Sequence, residues 1–357
     1  MGWPYCLCGH RRAVLEQRSG DGMVKNDTWL ALTREDALEP GLPICDPHHH
    51  LWMRDGHRYF LDEFLSDANS GHNIVSTVFM ECGAMYRADG PDEMKPVGET
   101  VFANGIAAMS ASGNFGPIRV AAGIVGFAGL RQGAAVTAVL EAHRECAPDR
   151  FRGVRFSTAF DPDIKLHRPR ANPKDRIFAD ATFREGLKAL FGMGLSFDAW
   201  LYHHQIPELT DLARAFPEAP IVLDHCGGRL GLGPYADKER EVFAEWSNNI
   251  EELARCENVR LKLGGGMLIG GEGWDKRAKP VSSQELADIR RPYLLHCIDA
   301  FGPGRVMFES NFPVDGAACG YGVLWNAYKR VAADFSPDEK AAMFHDNAAR
   351  FYRIAPL

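Results

Sequence analysis

The chain has 357 residues, with 40 Lys and Arg against 47 Asp and Glu, which gives a formal net charge of −7. This mildly acidic balance argues against a nucleic-acid partner and against a polybasic membrane role. No apolar run approaches the roughly 18 residues of a membrane span, and the N-terminus lacks the apolar core of a secretory signal. We therefore expect a soluble, cytoplasmic protein.

Two regions differ in their pattern of apolar residues. Residues 1–40 have no sustained apolar period and are predicted to form an N-terminal extension, whereas residues 41–357 alternate short apolar runs with segments of helical spacing. That alternation is typical of parallel βαβ units. Eight of them predict a (β/α)8 TIM barrel of the α/β class, with an open doubly wound sheet as the alternative. The predicted strands are Ile44–Leu51, Ser76–Cys82, Ile118–Phe127, Phe151–Phe156, Leu195–Trp200, Ile221–His225, Val259–Leu263 and Val306–Ser310.

The first predicted strand ends in a histidine motif, Asp46-Pro47-His48-His49-His50. Side chains alternate across a strand, so His48 and His50 are predicted to share one face while His49 points away. Two imidazoles so placed can reach one metal ion or one substrate group. A histidine-rich turn without such a role is the alternative.

Polar residues also end five of the other predicted strands. In a barrel of this kind the chemistry gathers at the carboxyl ends of the strands, so these positions predict an active site there. They are Glu81, Arg155, Asp224-His225, Lys262 and Glu309-Ser310-Asn311.

Four motifs together resemble the amidohydrolase-2 branch of the amidohydrolase superfamily. Within it they resemble TIM-barrel hydrolases that include 2-pyrone-4,6-dicarboxylate lactonase and sugar-lactone hydrolases, over roughly residues 43 to 354. The motifs are Asp46-Pro47-His48-His49-His50-Leu51-Trp52, Leu223-Asp224-His225-Cys226-Gly227-Gly228, Ser310-Asn311-Phe312-Pro313-Val314 and Asn347-Ala348-Ala349-Arg350-Phe351-Tyr352.

The resemblance implies roles for three histidines. His48 and His50 match family residues that bind a divalent ion in some members and polarise the substrate carbonyl directly in some lactonases. His225 matches a histidine that orients or protonates. The family usually has an aspartate, serving as general base and often as metal ligand, at the position where this chain has Asn311.

An amide cannot accept a proton at neutral pH, so hydrolysis needs another base. Asp315, Glu81 and His225 are the candidates. A metal, if present, is expected to be zinc or manganese, held by His48, His50 and Glu81, and a metal-independent reaction stays open. His203 and His204 are loose counterparts of a further metal histidine in some decarboxylases.

The substrate side of the predicted pocket is basic. Arg155 could clamp a carboxylate through two parallel hydrogen bonds, and Arg229 and Lys262 could join it. Tyr86 is a candidate contact on the loop after the second strand, and a basic loop spans 161–180. We therefore expect a small-molecule carboxylate as substrate. The resemblance also implies a homo-oligomer, such as a dimer.

The leading hypothesis is a hydrolase that acts on a carboxylate-bearing lactone or a related cyclic ester or amide. Non-oxidative decarboxylation of an aromatic or unsaturated acid is the first alternative. A catalytically altered barrel that binds a small carboxylate is the second, and Asn311 is the feature that favours it.

Overall fold

The computed structural model describes residues 27–54, 56–163, 176–265, 268–269, 274 and 277–355. Eight parallel strands there form one sheet in which neighbours in the chain are neighbours in the sheet. We number them β1 to β8, and their bounds are Pro43–His49, Asn73–Met80, Arg119–Gly126, Phe151–Ser157, Ser196–Trp200, Ile221–Leu223, Val259–Leu263 and Val306–Phe308.

The segment after β8 closes the sheet onto β1. The backbone N–H of Asn311 donates to the carbonyl of His48 at 2.8 Å, and the N–H of His50 donates to the carbonyl of Phe312 at 2.7 Å. A closed sheet removes the unpaired edges that an open sheet would leave. The predicted barrel is therefore confirmed, and the open doubly wound sheet is wrong.

Helices surround the barrel, and each strand is followed by one of them, α2 to α9. A π-helical turn, Ala342–Asp346, joins the last two helices of the chain. We number the helices α1 to α11, and their bounds are Asp27–Leu30, Leu61–Ala68, Val97–Ala111, Thr137–Cys146, Ala181–Gly192, Ile206–Ala215, Glu239–Ala254, Ser283–Phe301, Tyr321–Val331, Pro337–Ala341 and Asn347–Phe351.

Local sequence explains where these helices lie. Helix α6 buries Ile206, Leu209 and Leu212, which recur at helical spacing and belong to the main hydrophobic core. Helix α10 begins at a capping box, where Ser336 Oγ accepts from the backbone N–H of Glu339 and the Glu339 carboxylate accepts from that of Ser336. Among the described helices, none combines the length and apolar character needed to cross a bilayer.

The described part of the predicted extension packs on the barrel. The Glu35 carboxylate accepts from the backbone N–H of Ser283 at 2.8 Å, at the start of α8, and the Leu38 N–H donates to Asn326 Oδ1 at 2.8 Å, in α9. Lys329 adds hydrogen bonds to the carbonyls of Leu38 and Glu39. Residues 27–40 thus cover the helices that follow β7 and β8.

Apolar side chains fill the barrel below the site. Val78, Val125, Val222 and Met307 point inward from four strands, and Tyr352 closes the end at which the strands begin. Layers of inward side chains are normal for such barrels. The polar strand ends predicted to form the site lie at the opposite end of the barrel.

Five predicted strands end one or two residues earlier than expected, among them β2 at Met80 and β3 at Gly126. Strand β1 stops at His49, β6 at Leu223 and β8 at Phe308. The physical reason for β6 and β8 is backbone conformation, because His225 and Asn311 adopt φ of 58° and 53°, in the left-handed region that a strand does not permit.

Candidate active site

Three polar atoms converge where β1 and β8 end. His48 Nε2 lies 3.3 Å from His50 Nε2, which lies 3.2 Å from Asn311 Oδ1. All three side chains are buried. His49 points the other way, with its Nε2 2.8 Å from Thr77 Oγ1 and its ring near Phe64. Alternation along β1 therefore brings the predicted pair, His48 and His50, together.

The partner of His50 assigns its tautomer. His50 Nδ1 lies 2.8 Å from the carbonyl oxygen of Met80, which can only accept, so Nδ1 carries the hydrogen. Burial, followed by the charge of Arg155, lowers the pKa of His50 well below its usual value. The ring is therefore neutral at neutral pH, and its Nε2 presents a lone pair.

Asn311 is held in place by Asp315. Its Nδ2 donates to Asp315 Oδ1 at 2.8 Å, which turns its Oδ1 toward His50. The other oxygen of Asp315 lies 3.4 Å from Arg290 Nη2, and burial raises the pKa of this carboxyl. Asp315, a candidate base in the sequence, thus faces Asn311 and Arg290 and orients the amide.

His48 faces the Glu309 carboxylate and, farther away at 3.4 Å, the Lys262 ammonium at Nδ1, and it faces a guanidinium at Nε2. Its Nδ1 lies 2.9 Å from Glu309 Oε2, whereas its Nε2 lies 3.4 Å from Arg155 Nη1. The nearer partner of Nδ1 is a carboxylate, which accepts, and the partner of Nε2 is a guanidinium, which donates, so these contacts favour the hydrogen on Nδ1 and the lone pair on Nε2. Burial and the neighbouring Lys262 ammonium lower the pKa of His48 well below its usual value.

His225 reaches the same carboxylate from β6. Its left-handed backbone, in the turn Asp224–Cys226, places its Nδ1 2.6 Å from Glu309 Oε1, and its ring centroid lies 4.5 Å from that of His48. Burial raises the pKa of Glu309, but its contacts with His225 and His48 outweigh burial and lower the pKa to about 2. Glu309 is thus ionised, and the lone pair of His225 is on Nε2.

Lys262 lies beneath these histidines in a buried ionic layer. Its ammonium is 2.9 Å from Asp198 Oδ2 and 3.0 Å from Asp224 Oδ1, and all three side chains have no exposed surface. Burial lowers the pKa of Lys262, but the two carboxylates outweigh burial and raise it. Lys262 was predicted to contact substrate. Its ammonium instead faces Asp198 and Asp224 inside the barrel, because its inward position on β7 lies below the strand end.

Arg155 is paired with a residue that was predicted as a metal ligand. Its Nε donates to Glu81 Oε1 at 2.9 Å and its Nη2 donates to the Glu81 carbonyl. This leaves Nη1, which faces His48. The structure therefore places Glu81 against the guanidinium. The Nε and Nη2 groups, which could bind a substrate carboxylate through two hydrogen bonds, already donate to Glu81.

Other predicted residues lie elsewhere. Arg229 was expected to join Arg155, but its guanidinium stacks 3.4 Å from the ring centroid of Tyr293, in the helical layer. Tyr86 is half-buried in the loop after β2. His204 Nε2 lies 3.1 Å from Asp161, and neither His203 nor His204 belongs to the group of potential ligands described next. Of the basic loop, residues 164–175 lie outside the described residues.

Two corners of the site could be considered for a metal ion. Within the described residues, His48, His225 and Glu309 form the only group of three acidic, His or Cys ligands whose atoms lie within 4.8 Å of one another. The 2.6 Å separation of His225 Nδ1 and Glu309 Oε1 is that of a hydrogen bond, and Lys262 already places an ammonium 3.4 Å from His48 Nδ1. The Lys262 ammonium therefore already supplies a positive charge at that corner.

The opposite corner, where the Arg155 guanidinium lies 3.4 Å from His48 Nε2, is a second candidate for a metal. Three lone pairs meet there, from His48 Nε2, His50 Nε2 and Asn311 Oδ1, at separations of 3.3 and 3.2 Å. A tetrahedral zinc site with bonds of about 2.05 Å separates neighbouring ligand atoms by about 3.3 Å. Lone pairs that face one another repel unless a cation or a hydrogen lies between them. These three residues could therefore hold a divalent cation.

Sequence reasoning placed Asp224 and Glu309 among the polar strand ends without giving either a chemical role, and it did not name Asp198. A signal existed, because Met307, Glu309 and Asn311 alternate along one face of β8 and its continuation, and Met307 is an inward residue. Extending that period would have placed Glu309 inside the barrel, at the level of the histidines.

Comparisons with known proteins agree with this geometry. A family model described as amidohydrolase matches residues 45–354. The uncharacterized protein y4mH of Sinorhizobium fredii is 33% identical over 88% of this chain and 99% of its own. An L-fucono-1,5-lactonase of Burkholderia ambifaria is 30% identical over 56% of this chain and 64% of its own.

The fold also has a close counterpart among solved structures. An amidohydrolase from Burkholderia multivorans, solved with bound zinc, superposes with a TM-score of 0.64 at 23% identity, over 87% of this chain and 99% of that chain. Because the family model spans the barrel and y4mH aligns along most of the chain, this protein belongs to the amidohydrolase family and is a hydrolase.

Proposed function

We propose that this hydrolase opens a lactone ring by adding water to the ring carbonyl. The observation that carries the proposal is the convergence of the lone pairs of His48, His50 and Asn311 beside the imidazole of His225. The three lone pairs suit an electrophilic centre such as a metal ion, and the imidazole of His225 lies beside them as a base. The lactone is chosen because a relative aligned over half of the chain is an L-fucono-1,5-lactonase.

The neutral tautomers decide how the carbonyl is activated. His48 and His50 present lone pairs to the pocket, so neither can donate a hydrogen bond to a carbonyl oxygen. This disfavours direct polarisation by the histidines, the metal-independent route. We infer that His48, His50 and Asn311 hold a divalent ion, zinc or manganese, which would polarise the lactone carbonyl.

His225 is the base in this proposal. Its Nε2 takes a proton from the water as the oxygen bonds to the carbonyl carbon, and Glu309 stabilises the imidazolium through Nδ1–H. The ring C–O bond then breaks, and the proton passes from His225 to the departing ring oxygen. The product is the open hydroxycarboxylate, which releases one proton at neutral pH.

Recognition of a substrate carboxylate is a narrower form of the proposal. Arg155 offers Nη1 for this purpose, because its Nε and Nη2 donate to Glu81. A single N–H holds an anion less firmly than the two-pronged contact expected from the sequence. We therefore expect neutral sugar lactones to be turned over at least as well as carboxylate-bearing ones.

The test is a panel of lactones assayed by proton release, because ring opening liberates one proton. It contains L-fucono-1,5-lactone, other neutral sugar lactones, a pyrone dicarboxylate and a set of aromatic acids monitored for carbon dioxide. The His225→Gln variant should lose activity, and His345→Gln serves as the matched control at a partly exposed histidine outside the site. The proposal is supported if the parent turns over a lactone and the His225→Gln variant does not.

Two other results would contradict it. Carbon dioxide release without lactone turnover would make the protein a decarboxylase. Binding of a small carboxylate without turnover of any compound would point to a barrel that has lost catalysis, the second alternative left open by Asn311.

A further inference from the structure

We propose that Glu309 is a positioning residue that fixes the tautomers of both His48 and His225, an inference that rests on the hydrolase site proposed above. Its Oε1 accepts from His225 Nδ1 at 2.6 Å and lies 3.2 Å from the backbone nitrogen of the same residue. Its Oε2 lies 2.9 Å from His48 Nδ1. One carboxylate thus has an oxygen within 3 Å of the Nδ1 of each imidazole, which lets Glu309 accept an N–H from both rings and leave both Nε2 atoms with lone pairs.

This arrangement needs a carboxylate in particular. An ionised carboxylate only accepts, so its two oxygens can each face an imidazole N–H at the same time. Histidines that hold a metal commonly donate their second N–H to a carboxylate, which fixes ring orientation and basicity. Here the same group would serve two rings with different tasks, a ligand in His48 and a base in His225.

Two glycines on the neighbouring strand end make room for this group. A Cβ on Gly264 would lie 2.5 Å from Glu309 Cγ, and a Cβ on Gly265 would lie 2.1 Å from His225 Nδ1. Gly265 also has φ of 67°, which a side chain would strain. The space around the Glu309–His225 pair is thus available only because β7 is followed by glycine.

Replacing Glu309 by glutamine separates the two tasks. The amide has one acceptor and one donor, and the backbone N–H of His225 favours the oxygen on the His225 side. The NH2 group would then face His48 Nδ1, which must become an acceptor and shift its hydrogen to Nε2. In Glu309→Gln, His48 should therefore lose the lone pair that faces the pocket, while His225 keeps its tautomer.

A glycine substitution tests the other ring. Gly265→Ala would displace His225 and leave His48 with Glu309. Gly302→Ala is the matched control, because Gly302 also has positive φ, 75°, yet a Cβ there meets nothing within 4 Å. The comparison separates crowding of His225 from the backbone strain that both substitutions share.

The readouts are imidazole ¹⁵N NMR of histidine-labelled enzyme, metal affinity by competition with a chelator, and separate kcat and KM values. Single substitutions of His48 and His225 assign their signals. We expect both rings as Nδ1–H tautomers in the parent. In Glu309→Gln we expect a shift of His48 to the Nε2–H tautomer, metal binding weakened about 10- to 100-fold, and kcat lowered about 100-fold with KM changed less than about threefold.

The Glu309→Asp variant keeps two acceptor oxygens on a shorter side chain and should retain both tautomers, with kcat between parent and glutamine variant. The proposal is overturned if the parent shows either ring as the Nε2–H tautomer, or if folded Glu309→Gln keeps both tautomers and full kcat. Should Glu309→Gln not fold, the proposal is overturned if Glu309→Asp shows either ring as the Nε2–H tautomer, or if Gly265→Ala shifts the tautomer of His48. The NMR signals do not depend on turnover, so failure of the lactone panel and failure of this inference are distinguishable.

Discussion

Restoring the family's carboxylate at position 311 should destabilise this protein. Asn311 Nδ2 donates to Asp315 Oδ1 at 2.8 Å, so Asn311→Asp replaces a donor by a second carboxylate at that distance. Both side chains are about 95% buried, at 4% and 5% exposure, so water cannot screen the pair well. The substitution therefore creates a buried like-charge pair in place of a hydrogen bond.

The size of the effect follows from the distance. Two unit charges 2.8 Å apart repel by about 6 kcal/mol at an effective dielectric constant of about 20. Protonating one ordinary aspartate at pH 7 costs about 4 kcal/mol, which is less, so the pair should share one proton. The folded-state pKa of one carboxyl is then raised above its unfolded value. The stability cost is accordingly small near pH 4 and rises to about 4 kcal/mol at pH 7.

Urea unfolding at pH 5 and pH 8, on protein treated with a chelator, measures this cost. A double-mutant cycle adds Asp315→Asn and the exchanged pair, Asn311→Asp with Asp315→Asn. The exchanged pair restores one amide and one carboxylate, so it should recover more than half of the loss. It should not recover all of it, because Arg290 loses its ion pair with Asp315.

The reasoning would be refuted by an Asn311→Asp variant that stays within about 1 kcal/mol of the parent at both pH values, the range of ordinary substitutions. It would also be refuted if the exchanged pair were no more stable than Asn311→Asp alone. Either result would mean that Asp315 does not hold the Asn311 amide.

Three further outcomes are expected. Elemental analysis of protein purified without chelator should find about one equivalent of zinc or manganese, lost in His48→Ala and His50→Ala, and an active parent without metal would contradict this. Burial lowers the pKa of His143 to about 4. Between pH 6.5 and pH 4 the unfolded chain therefore binds a proton that the folded chain does not, and the free energy of unfolding should fall by up to about 3 kcal/mol over that range. The His143→Gln variant should show a weaker dependence of this free energy on pH. Lys262→Met should cost about 3–5 kcal/mol in urea, because Asp198 and Asp224 lose their buried partner, and a loss below about 1 kcal/mol would contradict the ion layer.

Local sequence was sufficient for the architecture. The alternation of apolar runs with helical spacing predicted eight strands, and Val259–Leu263 was predicted with the bounds that the structure has. Strand ends were less predictable where the backbone enters the left-handed region, as at His225 and Asn311. Hydrophobic periodicity reports burial and does not report φ, so it extended these strands too far.

The sequence also predicted which face of β1 carries the chemistry. The period of two alone separates His48 and His50 from His49, and the structure places the first two nitrogens 3.3 Å apart. The residues that contact the substrate were harder to predict from the sequence. Arg155 and Lys262 were predicted to bind a substrate carboxylate, and the carboxylates of Glu81 and Asp198 lie within 3 Å of them.

Sequence by itself determined the fold and predicted the end of the barrel and the histidines of the candidate site, because these follow from local periodicity and from motif spacing along single strands. Only the tertiary structure decided the partners. Glu309 is 261 residues from His48 and meets it because the closed sheet places β8 beside β1. Tautomers and charge pairing depend on such contacts between strands, and residue spacing along one strand carries no information about them.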